Sequence, residues 1–247
     1  MQTTQPYRDQ HVGVCAGVFG MKYPHAAVID IGANVGDTAA RMASNCGNDL
    51  ILIEPSEFYL SYLEKNAALF PNKTVIENVM IGGEEMARGN LVHWGGTAYF
   101  EPTEATEAKR FVTKQLSDFR SEVCFVKCDT DGNDFAIVNR NLSWLSTFRP
   151  GLNLEVQIRT NQDLSEANRA FRNLWSIGYR YFLFFDDPGF MLLGTNNLEQ
   201  VIELNRYQFK LYEHGESVKS IANFDVLCCH ERDLDAFRNV RDYYSIY

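Results

Sequence analysis

The stretch VKCDTDGND places Asp129, Asp131 and Asp134 within six residues, beside Lys127. Carboxylates this close can accept or orient the proton of a hydroxyl group that is about to form a bond, as a general base does. A further acid, Glu155, stands in LNLEVQI, where Leu152, Leu154, Val156 and Ile158 share one face and Asn153, Glu155 and Gln157 share the other. A glutamate in a central strand needs a partner or an open cleft. It has three open roles: orienting an acceptor, pairing with Lys127, or joining Asp129 around a divalent metal. Two carboxylates are a weak metal signal, so no metal is expected. The stretch VIDIGANVGD, residues 28–37, offers different chemistry. Gly32 and Gly36 bracket a tight turn that lets a ligand approach the backbone, and the free N–H groups of the following helix favour a carboxylate or phosphate. His93, in LVHWGG, is the only histidine in a candidate site loop and an alternative general base, with Trp94, Tyr99 and Phe100 nearby to stack on a sugar face. Packing aromatics beside a solvated histidine is the plainer account of that segment.

Short β-type runs alternate with helix-type segments along the chain: AAVIDI (26–31), LILIE (50–54), TVIEN (74–78), VCFVKCD (123–129), LNLEVQI (152–158), YRYFLFF (179–185) and FDVLCC (224–229). This alternation predicts an α/β fold, a doubly wound and mostly parallel seven-stranded sheet with its ligand crevice at the carboxyl ends of the strands. One helix is expected to start at Ser56, with Phe58, Tyr62 and Leu63 inward and Pro71 as a stop. Another is expected to be capped by Asp163 with Glu166 three residues on, to bury Leu164, Ala167, Phe171 and Leu174, and to end at Gly178. Residues 1–25 precede the first strand as an N-terminal extension. Two regions break the rhythm: 81–110, read as a hairpin-bearing excursion, and 186–223, read as a late insertion or lid. The 247 residues, 45% hydrophobic and 13% aromatic, suit one domain with a sizeable core.

Charge limits the partners. With 23 basic against 32 acidic side chains the net charge is −9, so a nucleic-acid polymer would meet a repulsive surface, and no run of Lys or Arg offers an exception. No apolar run approaches the roughly 20 residues needed to span a bilayer. The first residues lack the order of a signal peptide, so a soluble, cytoplasmic protein is expected. Cys124 and Cys128 are four steps apart on one strand, roughly 13 Å and beyond disulfide reach. Cys228 and Cys229 should face opposite sides of theirs, which predicts reduced core cysteines.

The glycine turn is not a dinucleotide fingerprint, because that spacing needs glycine where Asn34 and Asp37 stand. Asp37 would also set a negative charge near a pyrophosphate. Asp30, at the strand end, suits a ligand with a positive charge or an amino group, and S-adenosylmethionine carries both. The second strand ends in Glu54, where a carboxylate can accept ribose hydroxyls. The third ends in Glu77, Asn78 and Val79, where an adenine edge would lie. Each feature alone has a structural account, a closed turn or a solvated strand end, but their order along consecutive strand ends argues for a shared ligand.

On these residues the chain resembles the FkbM family, whose successive motifs look like VIDIGANVGDTA, LILIEPSEFYLSYLEKN, VIENVMIGG, FVTKQLSDF and CFVKCDTDGND. The resemblance runs from about residue 26 to Glu155, with a looser echo near FDVLCC. It implies a class I S-adenosylmethionine-dependent methyltransferase, its last strand antiparallel, that acts on a hydroxyl of a small molecule, sugar or glycan. It also implies that Asp30, Gly32, Asn34 and Gly36 form the methionine-side turn, that Glu54 holds the ribose, and that Asn78 with Val79 flanks the adenine. The family pattern has Glu where Asp131 stands and an aliphatic residue where Cys128 stands. Methyl transfer needs a positioned acceptor oxygen and somewhere for its proton to go. Asp129, Asp131 and Glu155 are the expected catalytic set, with cofactor contact as the other role for Asp129, while Asp134 fits a first-turn helix acid. The rivals are an NAD-dependent oxidoreductase or epimerase, disfavoured by the glycine spacing, and a non-catalytic module that keeps the S-adenosylmethionine crevice.

Overall fold

The computed structural model describes residues 9–83, 87–103, 105, 107–119, 121–186, 188–215 and 223–245, the side chain of Trp94 excepted. The seven expected strands are present as β1 (Ala27–Ile31), β2 (Leu50–Ile53), β3 (Thr74–Glu77), β4 (Val123–Cys128), β5 (Gly151–Val156), β6 (Tyr179–Asp186) and β8 (Phe224–His230). An eighth, β7 (Met191–Thr195), joins them at the edge. The sheet order is β7-β6-β8-β5-β4-β1-β2-β3. Strands β3, β2, β1, β4 and β5 run parallel. The last strand, β8, slots antiparallel between β5 and β6, and β7 pairs antiparallel with β6. The chain steps outward from β1 to β3 and then returns to β4 on the other side of β1. That reversal is the switch point at which open α/β sheets bind ligands.

Both faces of the sheet are covered, so the central strands read as continuous apolar runs. On one face Phe19 of α1 (Gln10–Lys22), Met42 of α2 (Asp37–Asn45), Leu63 of α3 (Glu57–Ala67) and Phe237 of α8 (Leu234–Ser245) pack with Val28, Leu50 and Leu52. On the other, Val138 of α4 (Asp134–Arg140), Leu145 of α5 (Leu142–Phe148), Phe171 of α6 (Asn161–Ser176) and Ile202 of α7 (Leu198–Glu213) pack with Ile29, Ile51 and Ile53. All six cysteines are free. A register shift between Ala27 and Val28 skips Cys124 on β4, and Cys124 and Cys128 fall in opposite cores.

Three local expectations need correction. In α3 Leu63 is buried as expected, but Tyr59 and Ala67 share its face, whereas Phe58 and Tyr62 are exposed. Helix α6 is capped by Thr160, and Asp163 is the third helical residue, whose carboxylate reaches back to close a capping box. The described part of 186–223 is packed structure: a turn with Gly189 N–H donating to Asp186 O (2.8 Å), then β7, then α7 with Val201, Ile202 and Phe209 buried. Within 81–110, Arg88–Trp94 and Thr97–Pro102 form an antiparallel hairpin. Its turn residues Gly95 and Gly96 have φ of 62° and 98°, a conformation that glycine adopts at no steric cost. No helix among the described residues is long and apolar enough to cross a membrane.

Candidate active site

A cavity of about 520 Å³ opens at the carboxyl ends of β1, β2, β4 and β5, of the size expected for a small-molecule site. Seven of the ten residues singled out from the sequence line it: Gly32, Asn34, Glu54, Val79, Asp129, Asp131 and Glu155. Asp30, Gly36 and Asn78 do not; each stands behind the wall.

The turn after β1 is shaped by backbone contacts. Gly32 has φ of 79°, and a Cβ placed there would lie 1.9 Å from the carbonyl oxygen of Asp129, so the two loops at the switch point meet backbone to backbone. Gly36, with φ of 88°, caps α2 against Leu63. Glu54 clamps the turn from the next strand: Oε2 accepts from Asn34 N–H (2.8 Å) and Oε1 from Ser56 N–H (2.7 Å). A carboxylate offers about four lone-pair sites, so roughly two remain for a ligand. Burial pushes the Glu54 carboxyl up, and the Ser56 and Asn34 N–H groups oppose that shift. Asn78 supports Glu54 from behind, its Nδ2 donating to the Glu54 carbonyl (2.9 Å).

Asp30 faces a protein cation. It is fully buried and pairs in strand register with Lys127, whose Nζ lies 3.2 Å from Asp30 Oδ1 and 3.4 Å from Asp129 Oδ2. Nζ also donates to the Gly32 carbonyl at 3.1 Å. Burial opposes the Lys127 charge, but Asp129 and Asp30 hold its pKa well above the ordinary lysine value. The positive charge expected opposite Asp30 is therefore built into the fold, and Lys127 is bound to Asp30 and Asp129 in place of Glu155.

The three candidate catalytic acids have different surroundings. Asp131 has φ of 52° and accepts a hydrogen bond from the Thr97 hydroxyl. Burial raises its pKa and the Thr97 contact partly offsets this. Glu155 accepts from Asn223 Nδ2 through Oε1 (2.9 Å), while Oε2 is buried without a hydrogen-bond partner. Burial, then the charges of Asp129, Asp134, Asp225 and Asp131, push it well above the usual carboxylate range, so its protonated form is favoured more than that of an ordinary glutamate. Asp134, the first residue of α4, accepts from Thr130 Oγ1 at 3.0 Å, and burial pushes it up to about 6.

The hairpin reaches further than its sequence signals. Its tip lies across the turn: Gly96 O accepts from Asn34 Nδ2 (3.1 Å), Thr97 O accepts from Tyr59 OH (3.0 Å), and Gly95, Gly96, Thr97 and Ala98 line the cavity. The GG pair signals a hairpin but not where it docks. His93 points away from the lining, with Nε2 2.9 Å from Ser56 Oγ and its ring against Phe58 and Tyr59. Gln157 and Arg159, also in the lining, continue the alternation that singled out Glu155. Asp9 and Asn223 carry no local signal.

A structure of the FkbM methyltransferase from Methylobacillus flagellatus KT resembles the chain with a TM-score of 0.39 and 15% identity, over 53% of this chain and 33% of that one. The chain thus spans about a third of that protein's length. Precorrin-6y C5,15-methyltransferase from Geobacter metallireducens GS-15 gives 0.42 and 11%, over 88% and 86%. The plantazolicin methyltransferase BamL, solved with a triazolic desmethylPZN analog and SAH, gives 0.46 and 9%, over 93% and 86%. At these identities and TM-scores none of them bears on the chemistry of this chain. No curated protein matches it. The Methyltransferase FkbM domain, by contrast, matches residues 30–181, more than half of the chain and nearly all of the strand ends around the cavity, and the chain belongs to that family.

Proposed function

We propose that the chain transfers a methyl group from S-adenosylmethionine to a hydroxyl oxygen of a small molecule or glycan. One observation carries this reading: Glu54, suited to ribose hydroxyls, and the acids Asp129, Asp131 and Glu155 line one cavity on either side of the Gly32 turn. The residues fit the cofactor. Gly32 and Asn34 would hold its methionine end, with Asp30 and Gly36 shaping the turn from behind. Glu54 would accept from the ribose through its open lone pairs, and Val79, beside Asn78, would cover the adenine. When bound, S-adenosylmethionine supplies an electrophilic methyl group.

The chain's own residues then handle the acceptor. Glu155, whose burial and acidic neighbours favour its protonated form, donates a hydrogen bond in that form to the acceptor oxygen and holds it in line. Asp131 takes the hydroxyl proton as the new O–C bond forms; burial has raised its proton affinity, and Thr97 fixes its carboxylate. Asp129, anchored by Lys127, orients the acceptor beside it. The docked hairpin tip keeps bulk water from the reacting atoms. Asp37 in the lining disfavours the pyrophosphate of NAD, and the acidic balance of the chain disfavours a nucleic-acid acceptor.

Calorimetry with S-adenosylhomocysteine tests the base of this reading, and a lack of saturable binding would sink it. Asp131→Ala is expected to spare that binding and abolish turnover. Loss of binding with turnover retained in proportion would mean that Asp131 belongs to the cofactor site.

A further inference from the structure

Two basic side chains line the cavity, Lys127 and Arg159. Lys127 is committed to Asp30, Asp129 and the Gly32 carbonyl. Among the described residues the Arg159 guanidinium makes no hydrogen bond and no ion pair within 4 Å, although its charge is felt by Asp131. Its backbone is nonetheless fixed. Arg159 N–H donates to Asp163 Oδ2 (3.0 Å), the oxygen that also accepts from Thr160 N–H (2.9 Å), so the nearest acid of α6 is engaged with the main chain. Arg159 therefore projects from a closed helix cap, two residues beyond Gln157 and four beyond Glu155, which line the same cavity.

The acids around it make contacts of their own. Asp129 faces Lys127, as does Asp9; Asp131 accepts from Thr97; Glu54 accepts from two backbone N–H groups. Asp37 stands in the first turn of α2, at the far side of the Gly32 turn. Among the described residues the Arg159 guanidinium is the cation of the lining without a hydrogen-bonded acid, and its charge acts on Asp131 across the cavity. An exposed arginine on a featureless surface is usually just solvated. Arg159 instead edges a cavity that also holds the buried, unpartnered Oε2 of Glu155. A planar guanidinium fork matches a carboxylate or phosphate in bidentate fashion, which a sugar hydroxyl cannot reproduce.

We propose that Arg159 anchors an anionic group, a carboxylate or phosphate, on a methyl acceptor whose reacting hydroxyl lies beside Glu155 and Asp131. This rests on the methyltransferase reading above and narrows it: the acceptor is an anionic hydroxyl compound. Four residues of chain span at most roughly 14 Å, so the anion and the methylated oxygen belong to one small molecule or to adjacent residues of a glycan.

Ligand-observed NMR on the full chain, with and without saturating S-adenosylhomocysteine, tests this with glucuronate, glucose 6-phosphate, glucose and glucosamine. At least one anionic sugar is expected to bind about ten-fold more tightly than glucose or glucosamine, the scale of one charge-assisted contact. Arg159→Gln should remove that preference and Arg159→Lys should keep part of it, with S-adenosylhomocysteine affinity unchanged in both. Preference for glucuronate or for glucose 6-phosphate separates a carboxylate from a phosphate anchor. Equal binding of glucose, a preference that survives Arg159→Gln, or no binding of either anionic sugar would overturn the proposal. Failure of S-adenosylhomocysteine to bind would instead strike the methyltransferase reading, and the Arg159-dependent preference would still be read on the free chain.

Discussion

Glu54→Gln keeps the side-chain volume but removes one of two acceptors. Both carboxylate oxygens are engaged, by Asn34 N–H at 2.8 Å and Ser56 N–H at 2.7 Å, in a residue that is only 5% exposed. A glutamine amide offers one carbonyl oxygen, so its NH2 group must face the other backbone N–H, donor against donor. Leaving a buried donor unsatisfied costs about 1–3 kcal/mol, and hydrogen bonds to a charged group are worth about 1.5–3 kcal/mol. Burial already opposes the Glu54 charge, and the neutral amide recovers part of that penalty. A net loss of about 2 kcal/mol follows. For a chain of this size that lowers the thermal midpoint by roughly 4–8 °C. Thermal unfolding followed by circular dichroism measures it, and the urea midpoint should move without a change in slope. The same amide presents fewer acceptors to ribose, so S-adenosylhomocysteine affinity should fall about ten-fold, and saturating ligand should raise the variant's midpoint less than the wild type's. An unchanged midpoint with unchanged affinity would refute the reasoning, because it would mean that Glu54 neither clamps the turn nor meets the ligand.

Three other perturbations separate the parts of the site. Asp134 is raised from an ordinary aspartate value to about 6, so the folded state binds the extra proton, and this contribution to stability is full below about pH 4 and lost as pH rises through 6. Asp134→Asn should match the wild type at pH 4 and exceed it by up to about 3 kcal/mol at pH 7; a pH-independent difference in urea midpoints would contradict the assignment. Lys127→Met strands the buried Asp30 and should cost about 3–5 kcal/mol, most of it recovered by adding Asp30→Leu. Urea titrations of the single and double variants decide this, and a double variant as unstable as the single would rule out the ion pair as the cause. Gly32→Ala drives a Cβ to 1.9 Å from a backbone oxygen and should cost more than about 4 kcal/mol. Gly96→Ala meets nothing within 4 Å and carries only the strain of φ 98°, about 1–3 kcal/mol; similar thermal midpoints for the two would refute the close approach at Gly32.

The strands and the β1 turn were legible because their cause is local. A strand buried on both faces has to be apolar throughout, and a turn that touches a neighbouring backbone has to hold glycine. Asp30 was legible as an anomaly but not as a pair. An acid in an apolar strand has two solutions, a ligand or a protein cation, and the choice depended on β4 lying next to β1, which no local pattern states. The α3 face was misread in part for a similar reason: Phe58 with Tyr62 and Tyr59 with Leu63 are equally good helical stripes one residue apart, and only the packing on α2 selects the second. Arg159 lies beyond the strand whose alternation exposed Glu155, and its place in the cavity lining is a property of the whole site.

The hairpin resolves a problem that the sequence could not pose. Of the three non-glycine residues on the cavity wall with positive φ, Asn34 at 48° and Asp131 at 52° flank the switch point, each at a cost of about 1–2 kcal/mol. They lie on different loops, after β1 and after β4, and both are fastened to adjacent residues of the hairpin tip. Asn34 Nδ2 donates to Gly96 O, and Asp131 accepts from the Thr97 hydroxyl. Asn and Asp are also the residues that tolerate this backbone region best, because their short polar side chains hydrogen-bond nearby. The same two contacts that offset the strain therefore align the cofactor-side turn with the acid proposed to take the proton. An excursion that looks like an interruption of the α/β rhythm thus sets the geometry between the two halves of the site.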